Sequence, residues 1–131
     1  MVAQQRYAAF NLLIAIAALA IFLALIPRCG PVKAQAAFGL LGFTGLTPLL
    51  MRKRKGQVVA DERDQTISRV AIQISFAILW VFFIAGGWGV YYVYRHHDAI
   101  PASLLPLGMW LAWVLLLLIH SATTLLLYRR S

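Results

Sequence analysis

Four apolar stretches, each close to the length of a bilayer crossing, govern what this 131-residue chain can become. They fall at residues 7–26, 34–51, 70–94 and 104–127. A single long polar run, RKRKGQVVADERDQTISR at 52–69, divides them into two pairs. A hydrocarbon core of about 30 Å is crossed by roughly 20 residues of α-helix. In lipid every backbone amide and carbonyl must find a partner inside the protein, which leaves helices as the structure open to such runs. Hydrophobic residues make up 62% of the chain and charged ones 12%, against about 45–50% and about 25% in soluble domains. A soluble fold of this size has too little interior to hide that surface. The expectation is an all-α integral membrane bundle of four transmembrane helices, one domain over 1–131, with no separate soluble domain.

The connections carry helix-stopping residues. Pro27-Arg28-Cys29-Gly30-Pro31 forms a tight turn after the first stretch, because proline lacks a donor and glycine tolerates positive φ. Ala34-Gln35-Ala36 offers an A-x-A cleavage pattern. The apolar run ahead of it exceeds the roughly 7–15 residues of a signal core, and Arg28 and Lys33 intervene, so the first stretch reads as a retained span. Ala17, Ala20 and Ala24 share a helical face there, and Gly39, Gly42 and Gly45 give the second stretch a small-residue flank. Both suit close helix approach. Pro48 predicts a kink near the end of the second stretch. Ala85-Gly86-Gly87-Trp88-Gly89 marks a contact or bend in the third, and Ser103 is a candidate N-cap for the fourth.

Charge sets the expected threading. Net charge is +8. The N-terminus, the 52–69 run and the C-terminus carry nine of the twelve basic residues, and the two hairpin turns carry Arg28, Lys33 and Arg95. Positive residues stay cytoplasmic, which predicts both termini and the middle loop inside: N-in, C-in. Trp88, Tyr91, Tyr92 and Tyr94 end the third stretch where Trp110 and Trp113 begin the fourth, the pattern of an interfacial aromatic belt on the outer side. The basic residues flank spans, where anionic headgroups attract them. No soluble module exists to present them to nucleic acid.

Within the middle loop, Arg52, Lys53, Arg54 and Lys55 form a polybasic cluster. Each such charge near an anionic leaflet contributes roughly 1 kcal/mol. The cluster reads as a topology anchor or as a lipid or partner contact. Asp61, Glu62 and Asp64, with Arg63 among them, hold three of the four acidic residues. Asp61 followed by Asp64 has the spacing of a capping box, and carboxylates in a first helical turn meet the positive end of the helix dipole. Partner docking is the functional alternative. A divalent metal is a third, opposed by side chains that diverge around one helix.

Asp61-Glu62-Arg63-Asp64, followed by Ile67, Arg69 and Ser75 where an apolar helix begins, resembles the DERD signature of DUF2178, a family of small predicted membrane proteins of bacteria and archaea. The resemblance implies four spans with the motif ahead of the third, in a prokaryotic cytoplasmic (inner) membrane. It implies no activity, cofactor or catalytic residue.

No Asp, Glu, Lys or Arg falls inside an expected span, whereas pumps and proton-coupled transporters generally use an intramembrane ionisable group. Small multidrug exporters depend on a carboxylate in the first span, and this one offers Asn11. The intramembrane candidate is His120, with Thr123 and Thr124 on its face. Asn11, Thr44, Thr47, Gln73 and Ser75 fall in the same half of the membrane. These residues read either as interhelical hydrogen bonds, each about 0.6 kcal/mol, or as a small polar cavity with His120 as its titratable member. His96 and His97 lie at the opposite surface from His120, which argues against a haem-ligating pair. One cysteine, Cys29, excludes an internal disulfide and a multi-cysteine metal site. No nucleophile–base–orienter set and no phosphate-cradling glycine loop is present, so no enzyme and no cofactor is expected. The leading expectation is an accessory or scaffolding subunit that packs with other membrane helices and shows its charged loop to a cytoplasmic partner. The runner-up is a homo-oligomeric small-solute transporter or channel subunit built on the polar patch. A membrane sensor working with a neighbouring regulator is a third.

Overall fold

The structure is a computed structural model that describes residues 3–46 and 61–130. Thr47, Pro48 and the Arg52–Lys55 cluster lie outside the described residues. The elements are α1 (Ala3–Ala34), a 3₁₀ helix labelled α2 (Gln35–Leu46), α3 (Glu62–Tyr94) and α4 (Leu104–Arg130). The described residues are helical throughout apart from the turns, as expected of backbone placed in lipid.

Three helices, rather than the four expected, are long and apolar enough to cross a membrane: the continuous run Ala3–Leu46, then α3 and α4. The difference lies in the first pair. Helix α1 passes through Pro27 and breaks at Gly30, whose φ of 78° and ψ of 163° are non-helical. That region of backbone space belongs essentially to glycine. Pro31 follows, and the residue before a proline is driven out of helical geometry. Helical structure resumes at once, so two arms are joined without a loop. They fold back on each other: the Phe22 and Phe38 rings lie 4.7 Å apart.

The second arm is not an α-helix. Its twelve 3₁₀ residues span about 24 Å at roughly 2 Å per residue, short of the bilayer core. A 3₁₀ helix eclipses side chains at i and i+3, which makes long runs uncommon. Here the sequence fits the period. Phe38 and Leu41 are buried and Gln35 and Thr44 half-buried on one ridge, while Ala36, Gly39, Gly42 and Gly45 form an exposed ridge with almost no side chains to clash.

Helix α4 lies between its neighbours, packing on α1 on one side and α3 on the other, while α2 packs mainly on α1. The core is Ile14, Ala18, Phe22, Ala34, Ala37, Phe38, Leu41 and Val114, closed at one end by Trp110 stacked 5.9 Å from Phe38. The face of α1 that packs is Ala8, Ala15 and Ala18. This corrects the expectation of Ala17, Ala20 and Ala24: Ala17 is half-buried, and Ala20 and Ala24 are exposed. Both sets have helical spacing, and only the position of α4 chooses between them.

Helix α3 begins at Glu62, so the second half of the expected middle loop forms its first two turns. Asp64, Ile67, Ala71 and Ser75 make one buried stripe at spacings of three and four, the pattern of a helix touching a single neighbour. Beyond Ser75 no residue of α3 is buried, and only Leu79 and Tyr94 are half-buried. Trp88, Tyr91 and Tyr92 pack on one another, with ring centroids 5.7–6.0 Å apart. The first amides of α4 are taken by backbone carbonyls, Leu104 N–H by Pro101 at 3.1 Å and Leu105 N–H by Ala102 at 3.2 Å, the role expected of Ser103.

Candidate functional site

The starts of α1 and α3 and the end of α4 meet at one end of the bundle, joined by a polar node. Asp61 is the N-cap of α3 in extended conformation. Its Oδ1 accepts from the Asp64 amide at 2.9 Å, and Asp64 Oδ2 accepts from the Asp61 amide at 3.2 Å. The reciprocal cap expected from the sequence is thus formed, satisfying two amides at the helix start. Asp64 does more. It is 7% exposed, and its Oδ1 accepts a hydrogen bond from the Tyr128 hydroxyl on α4.

Tyr128 Oη also lies 2.7 Å from the Gln4 side-chain amide on α1. One phenolic proton serves one acceptor at a time, and a carboxylate is the stronger acceptor. The network is satisfied when Tyr128 donates to Asp64 and the Gln4 amide presents its nitrogen to the phenol oxygen. The Arg63 guanidinium lies 6.0 Å from the Tyr128 ring centroid, at the outer reach of a cation–π contact. One tyrosine therefore ties α1, α3 and α4 together.

Inward of this node is a cavity of about 240 Å³ lined by Gln4, Tyr7, Ala8, Ser68, His120 and Thr124, roomy enough for several waters. Five of these six residues carry polar side-chain atoms. Thr124 and His120 lie one and two turns in from Tyr128, about 6 and 12 Å along the helix. His120 on α4 lies against the Ala71 backbone of α3. His120 also lines a second, smaller cavity of about 180 Å³ with Ile72, Ser75, Phe76, Leu116 and Leu117. That one is deeper and almost wholly hydrocarbon.

The structure brings together part of the expected polar patch. His120 and Thr124 share the polar cavity, and His120 and Ser75 share the apolar one. Asn11 is buried on α1. Thr123 is half-buried, and Gln73 is exposed on α3, away from the cavities. Thr44 sits on α2, whose main contact is α1. A patch shared by all four segments is not assembled among the described residues.

The Ser75, Thr124 and Thr44 hydroxyls each donate to a carbonyl of their own helix. Ser75 Oγ donates to the Ala71 carbonyl at 2.6 Å, Thr124 Oγ1 to the His120 carbonyl at 2.8 Å and Thr44 Oγ1 to the Leu41 carbonyl at 2.6 Å. Such bonds back to the preceding turn leave only oxygen lone pairs for a visitor. Ser121 Oγ is the buried side-chain atom without a partner among the described residues.

Sequence reasoning missed Gln4, Tyr7, Ser68 and Tyr128. A signal was available in the expected threading, which put residues 4, 64 and 128 at one surface. Nothing local marks Tyr128 as the partner of a carboxylate 64 positions away. Among the described residues no group of three metal-ligating side chains occurs.

No curated protein and no solved structure matches the chain. A family model, described as a predicted membrane protein of DUF2178, matches residues 3–131. With its long apolar helices, this chain is a multi-pass membrane protein and belongs to the DUF2178 family.

Proposed function

We propose that the protein is an accessory or scaffolding subunit of the cytoplasmic membrane, receiving neighbouring membrane helices on glycine-lined surfaces. One observation carries this reading. At Gly39, Gly42, Gly45, Gly86, Gly87, Gly89 and Gly108, an added Cβ would meet nothing within 4 Å. A glycine inside a helix costs about 1 kcal/mol relative to alanine. Close approach of another backbone offsets that cost in membranes. Among the described residues nothing approaches, and a partner supplies the missing contact. The outer half of α3, unburied on every side, belongs to the same surface.

In this reading both termini face the cytoplasm. The shared end of Gln4, Asp64 and Tyr128 supports an even number of crossings, and the fold-back at Gly30 supports a second arm that returns toward that end. The 52–69 stretch then faces the cytoplasm, with Arg52, Lys53, Arg54 and Lys55 on anionic headgroups or a partner.

Purification from the native membrane in a mild detergent tests the assignment, with particle mass and every co-purifying chain identified. Stoichiometric foreign membrane subunits are expected, lost from Gly42→Leu and Gly86→Leu variants that themselves remain folded. A particle made of this chain alone overturns the reading. It supports instead a homo-oligomeric transport or channel subunit, which the polar cavity at His120 favours.

A further inference from the structure

The two cavities that share His120 differ in polarity and have a fixed order along the bundle. The polar one, with Gln4, Ser68 and Thr124, lies toward the shared end. The hydrocarbon one, with Ile72, Phe76 and Leu117, lies deeper between α3 and α4. A shallow polar chamber above a deep apolar groove matches the layout of a lipid in its own leaflet, head outward and tail inward. His120 stands at the junction. A neutral imidazole has one ring nitrogen that only accepts. Thr124 has spent its proton on the His120 carbonyl and also only accepts. Two acceptors at the junction call for a head that donates. Among the described residues no Asp, Glu, Lys or Arg lines either cavity, so a permanently charged head would enter without a fixed counter-charge, at a large desolvation cost.

We propose that the seam between α3 and α4 at His120 binds a single-chain, uncharged amphiphile with a hydroxyl head. The hydroxyl donates to His120, Ser68 and Gln4 surround it, and the tail lies along Ile72, Phe76 and Leu117. The site stands on cavity geometry and does not depend on the assembly reading.

The probe is hexadecanol carrying a photoactivatable diazirine in its tail, added to the full-length protein in phosphatidylcholine vesicles. After irradiation, cross-linked peptides are mapped. Labelling is expected to concentrate at residues 72–76 and 116–120, at least five-fold above the lipid-facing stretch 80–93. A hundred-fold excess of unlabelled hexadecanol should remove it, and the same excess of hexadecane should not. Ile72→Trp, placed on a half-open edge of the groove, should lower labelling at least three-fold while the protein keeps its elution volume. Uniform labelling along α3 overturns the proposal, as does equal competition by headless hexadecane. Stronger competition by palmitate overturns the uncharged head. A folded Ile72→Trp protein labelled like the wild type also overturns the site. If that variant does not fold, the competition series on the wild type decides alone.

Discussion

Tyr128 shows how much one side chain can hold when it reaches three helices. Its hydroxyl donates to a buried carboxylate that is already half of a capping box, and its oxygen meets Gln4. Replacing it by phenylalanine leaves Asp64 Oδ1 buried without that donor. Unsatisfied buried acceptors cost about 1–3 kcal/mol, so Tyr128→Phe should lower the melting temperature in detergent by several degrees. Asp64→Ala should cost at least as much, since it removes the cap partner and the phenol's acceptor together. If the two act through one bond, the double variant will fall short of the sum by about 0.5–3 kcal/mol in a double-mutant cycle. Strict additivity would show that the contact contributes nothing to stability.

At the scale of elements, the bend between α1 and α2 depends on a single residue. Gly30 holds φ 78° with nothing near its would-be Cβ, so crowding plays no part there. Gly30→Ala should destabilise by about 1–3 kcal/mol from backbone strain alone. Gly39→Ala should not, because its backbone is ordinary and its surroundings open. Thermal melts of the two variants side by side check this, and equal losses would remove the assignment of the turn to Gly30. Helix α3 illustrates a different division. Its first half has a buried stripe and a cap, while its second half is more apolar and touches little. Hydrophobicity suits the run from Val70 onward to lipid, and only the stripe from Asp64 to Ser75 meets a neighbour.

For the whole molecule, the decisive arrangement is that two ends separate. Gln4, Asp61, Asp64 and Tyr128 gather at one, and the Gly30 bend with exposed Cys29 belongs to the other. Under the proposed N-in, C-in threading, Cys29 should react with a membrane-impermeant maleimide on intact cells. Labelling only after lysis would invert or discard the topology.

Apolar segment length settled by itself that the chain is helical and lives in a membrane, because unpaired backbone is too costly in lipid to allow much else. Local chemistry also announced the α3 cap: Asp61 and Asp64 needed only each other's backbone. What sequence left open were matters of contact. Whether Ala17, Ala20 and Ala24 or Ala8, Ala15 and Ala18 faced inward depended on where α4 lay. The glycines at 39, 42 and 45 read as a packing flank of an ordinary span, and the fold makes them the open ridge of a 3₁₀ arm. Gln73 and Ser75, two residues apart, fell on opposite sides of α3, one outside and one at the cavity. Tyr128 found Asp64 only through folding. Between apolar helices in lipid there is no hydrophobic drive to choose a face, so tertiary packing made those choices, and with them the site at His120.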